Sequence, residues 1–453
     1  MRNEGKVGEA VIVSGNASGR VCEKPTPPSV RLLYVCDFPP SNIHGGGVLL
    51  KRLLQEYPQD CITVFTGSPA MGESHPTDRL ECRHVAFPIL GASRFLWFSR
   101  VKRVLNWAIV AFIAISAVVV VKLWRVGAIL TVLQGTFYFA AAVAGWITRT
   151  PFIVMVHDDF IFRVEDAPWF SSMRVLKPLS GLVLRRAAHV YSVSPEMQRF
   201  LLAEFGVESE LQWPATEAHP PSHQRICAST HNSVAILFAG GISYAVEDSL
   251  ELLAQIICSG KLKECGFSEV KLHLYTKLSD SQRRNPSWNH PDVLVRNWVP
   301  QSELPRVLAT ADILFLPYSF LESSRHAVET AFPSKTADYL AAGKPVLVFG
   351  PSYSSLVRYA SEQHFAEVVR EFSADALVNA IRKIMFTPGY RDTLARRALE
   401  LFYRDHDIDR QRREFRGLVH VITRHALSAG PPSLSSRGGN LNAPPSRGDP
   451  DMR

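Results

Sequence analysis

The sequence predicts an α/β protein of two doubly wound, Rossmann-like domains that face each other across a cleft. Short β-branched runs alternate with longer helix-compatible stretches, the pattern of parallel sheets covered by helices on both faces. The alternation breaks once, over 214–232 (PATEAHPPSHQRICASTHN), and then restarts. The prolines and histidines of that stretch and its lack of hydrophobic periodicity mark a linker. At 453 residues the chain is long enough for two or three domains. Its 46% apolar and 20% charged residues exclude a mainly disordered, collagen-like or coiled-coil chain.

In chain order, residues 1–28 lack an apolar core behind their charges and read as a disordered leader. The N-terminal domain, 29–213, holds strand-like runs at 31–36 (RLLYVC), 61–65 (CITVF), 128–133 (AILTVL), 151–156 (PFIVMV) and 188–192 (AHVYS). Between the second and third lies the apolar run from Leu105 to Val121, flanked by Arg100, Lys102, Arg103, Lys122 and Arg125. At about 1.5 Å per residue it only just reaches the length of a spanning helix. Two readings of about 100–125 stay open: a domain helix with one face on the core, and a helix lying in an acidic membrane surface. Ser194 before Pro195 reads as an N-cap and first helical position. The C-terminal domain, 233–388, has runs at 233–239, 269–275, 292–296, 312–316, 345–349 and 365–369, separated by helices such as 247–259 and 373–386. A basic helical end follows at 389–427. The Ser-, Gly-, Pro- and Asn-rich residues 428–453 read as a disordered tail.

Fifty Lys and Arg against forty-two Asp and Glu leave a charge of +8, a bias toward phosphates or acidic lipid. No zinc-finger or RNA-recognition spacing accompanies it. The Arg-rich end (Arg396, Arg397, Arg404, Arg410, Arg412, Arg413, Arg416) therefore reads as solvated helix faces, and no nucleic acid is expected. Seven scattered cysteines form no Cys-x-x-Cys pair and are expected as reduced thiols in a cytoplasm. Asp405-His406-Asp407 contains an Asp-x-Asp, but in a charged terminal helix rather than after a strand, so it is read as accidental. No metal or other cofactor is expected.

Doubly wound sheets bind ligands outside the carboxyl ends of their strands, so the strand ends carry the candidates. The first strand leads into Gly45-Gly46-Gly47, ahead of a helix opening at Val48. Glycines there let backbone amides approach a ligand, and a helix N-terminus favours negative charge. Neither P-loop nor Gly-x-Gly-x-x-Gly spacing is present, which lowers ATPase and dehydrogenase readings. His157, Asp158 and Asp159 end another strand. His157 there either orients or deprotonates a hydroxyl, or caps backbone. Gly240-Gly241 again permits close approach of backbone to a diphosphate. The most specific constellation is Phe332 to Pro345 (FPSKTADYLAAGKP). Pro333 pre-sets a helical turn, Lys335 offers a mobile cation for phosphate oxygens, and Ser334 and Asp338 share its helical sector. Asp338 can accept both hydroxyls of a ribose. Gly343 and Pro345 close the helix.

On these residues the chain resembles the GT-B glycosyltransferases, specifically the retaining, nucleotide-sugar-dependent group that includes glycosyltransferase family 4, over roughly 31–425. The resemblance implies an N-terminal acceptor domain, a C-terminal nucleotide-sugar domain and a last helix that crosses back to the first. It implies that Gly46, Gly47, Gly240, Gly241, Ser334, Lys335 and Asp338 bind donor, and that Gly45, His157 and Asp158 bind acceptor. His157 and Lys335 are the implied catalytic pair. Asp338 stands at the second carboxylate of the family's Glu-x7-Glu motif. Thr330 replaces the first, with Glu329 adjacent and Glu322 upstream, and Glu247 and Asp248 lie in the stretch that usually supplies a base.

The expected activity is transfer of a sugar from a nucleotide-sugar to a glycan or lipid-linked acceptor, in polysaccharide or cell-envelope glycan synthesis. The expected place is the cytoplasm, with peripheral contact to the inner face of an anionic membrane through about 100–125. The departures leave two alternatives: a degenerate GT-B binding or scaffold protein, and a nucleotide-sugar epimerase on the same fold.

Overall fold

The computed structural model describes residues 29–42, 45–68, 78–89, 96–158, 173–218 and 233–428. The expected leader, most of the linker and the tail beyond 428 lie outside the described residues, as does Asp159.

Strands that are apolar on both faces settle in the middle of a helix-covered parallel sheet. The first lobe contains β1 (Leu32–Val35), β2 (Ile62–Gly67), β3 (Arg83–Phe87), β4 (Ala128–Val132), β5 (Phe152–Val156), β6 (His189–Ser192) and β7 (Glu210–Leu211). They pair in the order β3-β2-β1-β4-β5-β6-β7, every pair parallel. The continuous apolar runs β1, β4 and β5 are buried throughout. The edge strands β3 and β7 add to the expected set: β3 mixes exposed and half-buried positions, and β7 has only two residues.

The second lobe contains β8 (Ser233–Ala239), β9 (Glu269–Tyr275), β10 (Val293–Arg296), β11 (Ile313–Pro317), β12 (Val346–Phe349) and β13 (Ala366–Val369). Their order, β10-β9-β8-β11-β12-β13, repeats that of the first six strands of the other lobe. Each sheet therefore reverses direction of winding once, between β1 and β4 in one lobe and between β8 and β11 in the other. Such switch points leave a crevice at the strand ends.

Helix Leu96–Trp124 is the crossover from β3 to β4. Val110, Ile113, Ala114, Ala117 and Val121 on its inner side share a core with Leu33 and Val35 of β1 and Ile129 of β4. The apolar run is thus a structural helix with one face on the core.

The chain end returns to the first lobe. Helix Ile408–Ser428 places Phe415 and Val419 in the core formed with Leu32, Tyr34 and Leu50. Its buried Arg412 donates to the Arg52 carbonyl (2.8 Å) and pairs with Glu56, Glu217 and Asp409. Immediately before it, His406 bonds the Pro214 carbonyl through Nδ1 (2.6 Å) and the Tyr359 hydroxyl through Nε2 (2.8 Å). Burial holds this imidazole neutral, its pKa down at about 4. Arg412 and His406 tie linker, crossover and both lobes together. Asp405 pairs with Arg404, and Asp407 bridges Thr216 of the linker, so the Asp-x-Asp belongs to this joint.

Candidate active site

A cavity of about 550 Å³ lies between the lobes, and the loops that line it follow both switch points. Asp37 and Phe38 follow β1, Gln134 and Gly135 follow β4, Gly241 follows β8, and Tyr318 follows β11. Each of these loops leaves the carboxyl end of its strand, where chain reversal exposes backbone and short side chains to the crevice.

The glycine triplet differs from the expected loop. Helix Gly45–Leu54 begins at the first glycine, and none of the three has positive φ. Their value lies in close approach rather than in backbone freedom. A Cβ on Gly45 would stand 3.3 Å from Ser334 Oγ of the opposite lobe, and one on Gly46 would stand 3.0 Å from His157 Nδ1. Gly45 and Gly46 line the cavity; Gly47 is turned away, against the carbonyls of Pro39 and Ser41.

His157 follows β5 and lines the cavity beside Asp158. Among the described residues its buried Nδ1 has no hydrogen-bond partner, which sets aside the capping role. Desolvation lowers its pKa to about 4, so the ring is neutral near pH 7.

Across the cavity, helix Lys335–Ala341 is fixed to the end of β8 by the Ala239 N–H, which donates to the Tyr339 hydroxyl (2.9 Å). That bond brings Lys335 over the Phe238 ring, with Nζ 4.5 Å from its centre. Gly240 (φ +148°) lies directly beneath: a Cβ there would be 2.4 Å from Lys335 Cε. That backbone strains any other residue, and a Cβ would push the end of Lys335 aside. No ion pair forms at Lys335 among the described residues, and desolvation lowers its pKa from 10.5 to about 8. Ser334 and Lys335 line the cavity together with Gly241.

Asp338 does not line it. Its buried carboxylate accepts from Arg52 Nη2 (2.7 Å), on the N-terminal lobe's helix Gly45–Leu54, and from Gln301 Nε2 (3.5 Å). Arg52 also donates to the Ala215 carbonyl (3.1 Å). In this state the expected ribose acceptor is engaged by an arginine of the opposite lobe. Thr330 is buried, with its hydroxyl on the His326 carbonyl, and its own carbonyl accepts from Ser194 Oγ. Ser194 also caps helix Pro195–Phe205 as expected. Glu322 pairs with Arg325, Glu247 accepts from Gln282, and neither these nor Glu329 borders the cavity.

The sequence reading omits Asp37 and Gly135. Asp37 accepts the amides of Thr136 and Phe137 (2.9 Å each), capping helix Phe137–Thr148. Burial raises its pKa to about 6, against the pull of those amides. Gly135 (φ +68°) is required because a Cβ would overlap the Asp37 carboxylate at 2.1 Å. The only signal was position, one residue beyond the apolar run of β1. Among the described residues no group of three His, Cys, Asp or Glu is placed to hold a metal. Cys36, Cys61, Cys82, Cys258 and Cys265 are free thiols.

Two family models match successive parts of the chain. Residues 44–212 match the "Glycosyl transferase 4-like domain" and residues 233–386 match "Glycosyl transferases group 1". The chain is a GT-B glycosyltransferase. No curated protein matches the sequence. Among solved structures, Anabaena HepE in complex with UDP is similar at 14% identity, with a TM-score of 0.60 over 86% of this chain and 100% of that one. Sucrose-phosphate synthase from Thermosynechococcus elongatus is similar at 14% identity, with a TM-score of 0.64 over 87% of this glycosyltransferase and 100% of that chain. A glycosyltransferase from Rickettsia africae gives 13%, 0.58, 87% and 99% respectively. At such identities the likeness establishes the shared fold.

Proposed function

We propose that this glycosyltransferase transfers a sugar from a nucleotide-sugar donor, with retention at the sugar carbon, to a glycan or lipid-linked acceptor in polysaccharide or cell-envelope glycan synthesis. The observation that carries the reading is the placement of Lys335: a cation without a carboxylate partner among the described residues, at the cavity wall, above Gly240 and across from Gly46 and His157. An ammonium so placed gains a partner when a diphosphate enters. HepE structures with UDP and with UDP-glucose make uridine nucleotides the first donors to test.

In the reaction the bond from the anomeric carbon to the diphosphate oxygen breaks, and that oxygen leaves with the electron pair. The acceptor oxygen attacks the same face, and its proton passes to the departing phosphate. Lys335 stabilises the charge that develops on the leaving oxygen, without reorganising solvent at the moment of reaction. His157, neutral at pH 7, orients a sugar hydroxyl from the cavity wall rather than supplying a full charge, and Asp158 accepts from the acceptor beside it. Gly45 and Gly46 keep that wall thin. No step requires a divalent ion, so turnover persists in EDTA. The expected setting is the cytoplasm, at the inner face of the plasma membrane.

Release of nucleoside diphosphate from a panel of UDP- and GDP-sugars, with EDTA present, tests this reading. No release and no binding by calorimetry would defeat it. One observation favours a second reading: neither Glu322 nor Glu329 reaches the cavity to replace the acid missing at Thr330. A degenerate binding protein would bind nucleotide-sugar and release no diphosphate, even slowly.

A further inference from the structure

The longest helix of the N-terminal lobe leaves an apolar face uncovered. Helix Leu96–Trp124 is core on its inner side, yet Val104, Phe112, Ile115, Val119 and Leu123 are 70, 60, 63, 49 and 72% exposed. Their spacing puts them on one side of the helix. No charged residue occurs from Val104 to Val121. On the neighbouring helix Phe137–Thr148, Ile147 is exposed as well. An uncovered apolar strip of this length marks a surface that meets something.

Its lower end is basic. Arg31 Nη1 donates to the Trp124 carbonyl (2.8 Å), the Arg83 guanidinium lies 4.2 Å from the centre of the Trp124 ring, and Lys122 and Arg125 are exposed beside them. Arg149 ends the neighbouring helix, likewise at the amino ends of the strands. In the hollow next to Trp124, Asp60 and Glu81 balance Arg31 and Arg83, so the excess positive charge at this end comes from the exposed Lys122, Arg125 and Arg149.

The bond from Arg31 pins the helix end to the start of β1. From there 29 residues extend about 43 Å, whereas the five residues of β4 cover about 17 Å. The helix therefore runs past the strand ends, where Gly46 and His157 border the cavity. In agreement, Val101, Val104 and Leu105 are exposed, and the first described buried side chain is Asn106.

We propose that this face is seated in the surface of a phospholipid bilayer containing anionic lipid, with the exposed strip among the outer acyl chains and the basic end on headgroup phosphates. The helix lies along the membrane and does not cross it, because its inner face is part of the lobe's core. A second copy of the chain suits the face less well, since it would bring a second set of like charges. The purpose of this seating, delivery of a lipid-linked acceptor, rests on the function proposed above.

Co-sedimentation of the full chain with phosphatidylcholine vesicles, with and without phosphatidylglycerol, tests the proposal. Binding is expected to phosphatidylglycerol vesicles and to weaken with salt. The pair Lys122→Glu, Arg125→Glu should lower that partition by about twentyfold or more. The pair Phe112→Glu, Ile115→Glu should abolish it, while both variants keep the wild-type melting curve. Wild-type protein left wholly in the supernatant would overturn the proposal. So would sedimentation velocity showing a dimer that the apolar pair dissociates while vesicle binding is unchanged. Diphosphate release is measured on the same samples without vesicles, so failure of the enzymatic reading is seen separately.

Discussion

Replacing Lys335 by methionine separates its chemical role from its structural cost. Desolvation holds the ammonium at about 8 rather than 10.5. Keeping it protonated in the fold therefore costs about 3 kcal/mol below pH 8. Between pH 8 and 10.5 the unfolded chain binds the extra proton, so this residue makes stability rise with pH across that window, and Lys335→Met removes the rise. At pH 7 the variant should be more stable than the wild type by up to about 3 kcal/mol, an advantage that vanishes by pH 10.5. Activity should move the opposite way. Without the cation, kcat falls by about 10²- to 10³-fold, the usual worth of one preorganised group at a developing oxyanion. In the wild type kcat/KM for the donor reports the free enzyme, so it should decline above pH 8, approaching tenfold per pH unit. Thermal melts and diphosphate release from pH 6.5 to 10 measure both trends. A wild-type kcat/KM flat from pH 7 to 9.5, or a methionine variant with normal turnover, would refute the role assigned to Lys335.

Gly240→Ala should cost about 1–3 kcal/mol through its backbone and swing Lys335 aside, lowering donor kcat/KM by about tenfold or more. Gly260→Ala, also at positive φ (+76°) but with no neighbour within 4 Å, should lose stability alone, as melting curves and donor assays will tell. Arg52→Ala leaves the Asp338 carboxylate buried without its charged partner and should destabilise by about 3–5 kcal/mol, measured as a drop in Tm. The double variant Arg52→Met, Asp338→Leu should recover most of that loss. His157→Ala should reduce kcat by about 10²-fold or more. Because its folded pKa of about 4 lies below the ordinary 6.5, His157 withdraws stability as pH falls from 6.5 toward 4, and the alanine variant should melt with a shallower acid slope.

Much of the architecture was legible because it is written locally. The six strands of the second lobe coincide with the apolar runs to within a residue or two, since β11 and β12 are buried throughout, the others keep at least one buried position, and turn signals bound each run. Lys335 and Gly240 were legible for the same reason: each follows a strong local punctuation mark, Pro333 or the end of β8. The edge strand β3 was not, because four of its five side chains are exposed or half-buried and leave no run to detect. Gly45, Gly46 and Gly47 were placed correctly at the strand-to-helix junction but given a loop's role. The helix begins at Gly45, and what crowds a side chain there is Ser334 of the other lobe. Asp37 was overlooked because its task, holding the amides of Thr136 and Phe137, joins positions about a hundred residues apart.

By itself the sequence determined two parallel sheets, the crossover helices between them, and the loops that border the cavity, because periodic burial and turn chemistry act over a few neighbouring residues. Only the tertiary structure decided that Arg52 takes the Asp338 carboxylate, that Nδ1 of His157 is left without a partner among the described residues, and that one side of helix Leu96–Trp124 faces outward. These outcomes depend on which distant surfaces meet once the lobes close. Ion-pair partners and uncovered faces are set by that packing, which imposes no period on the chain.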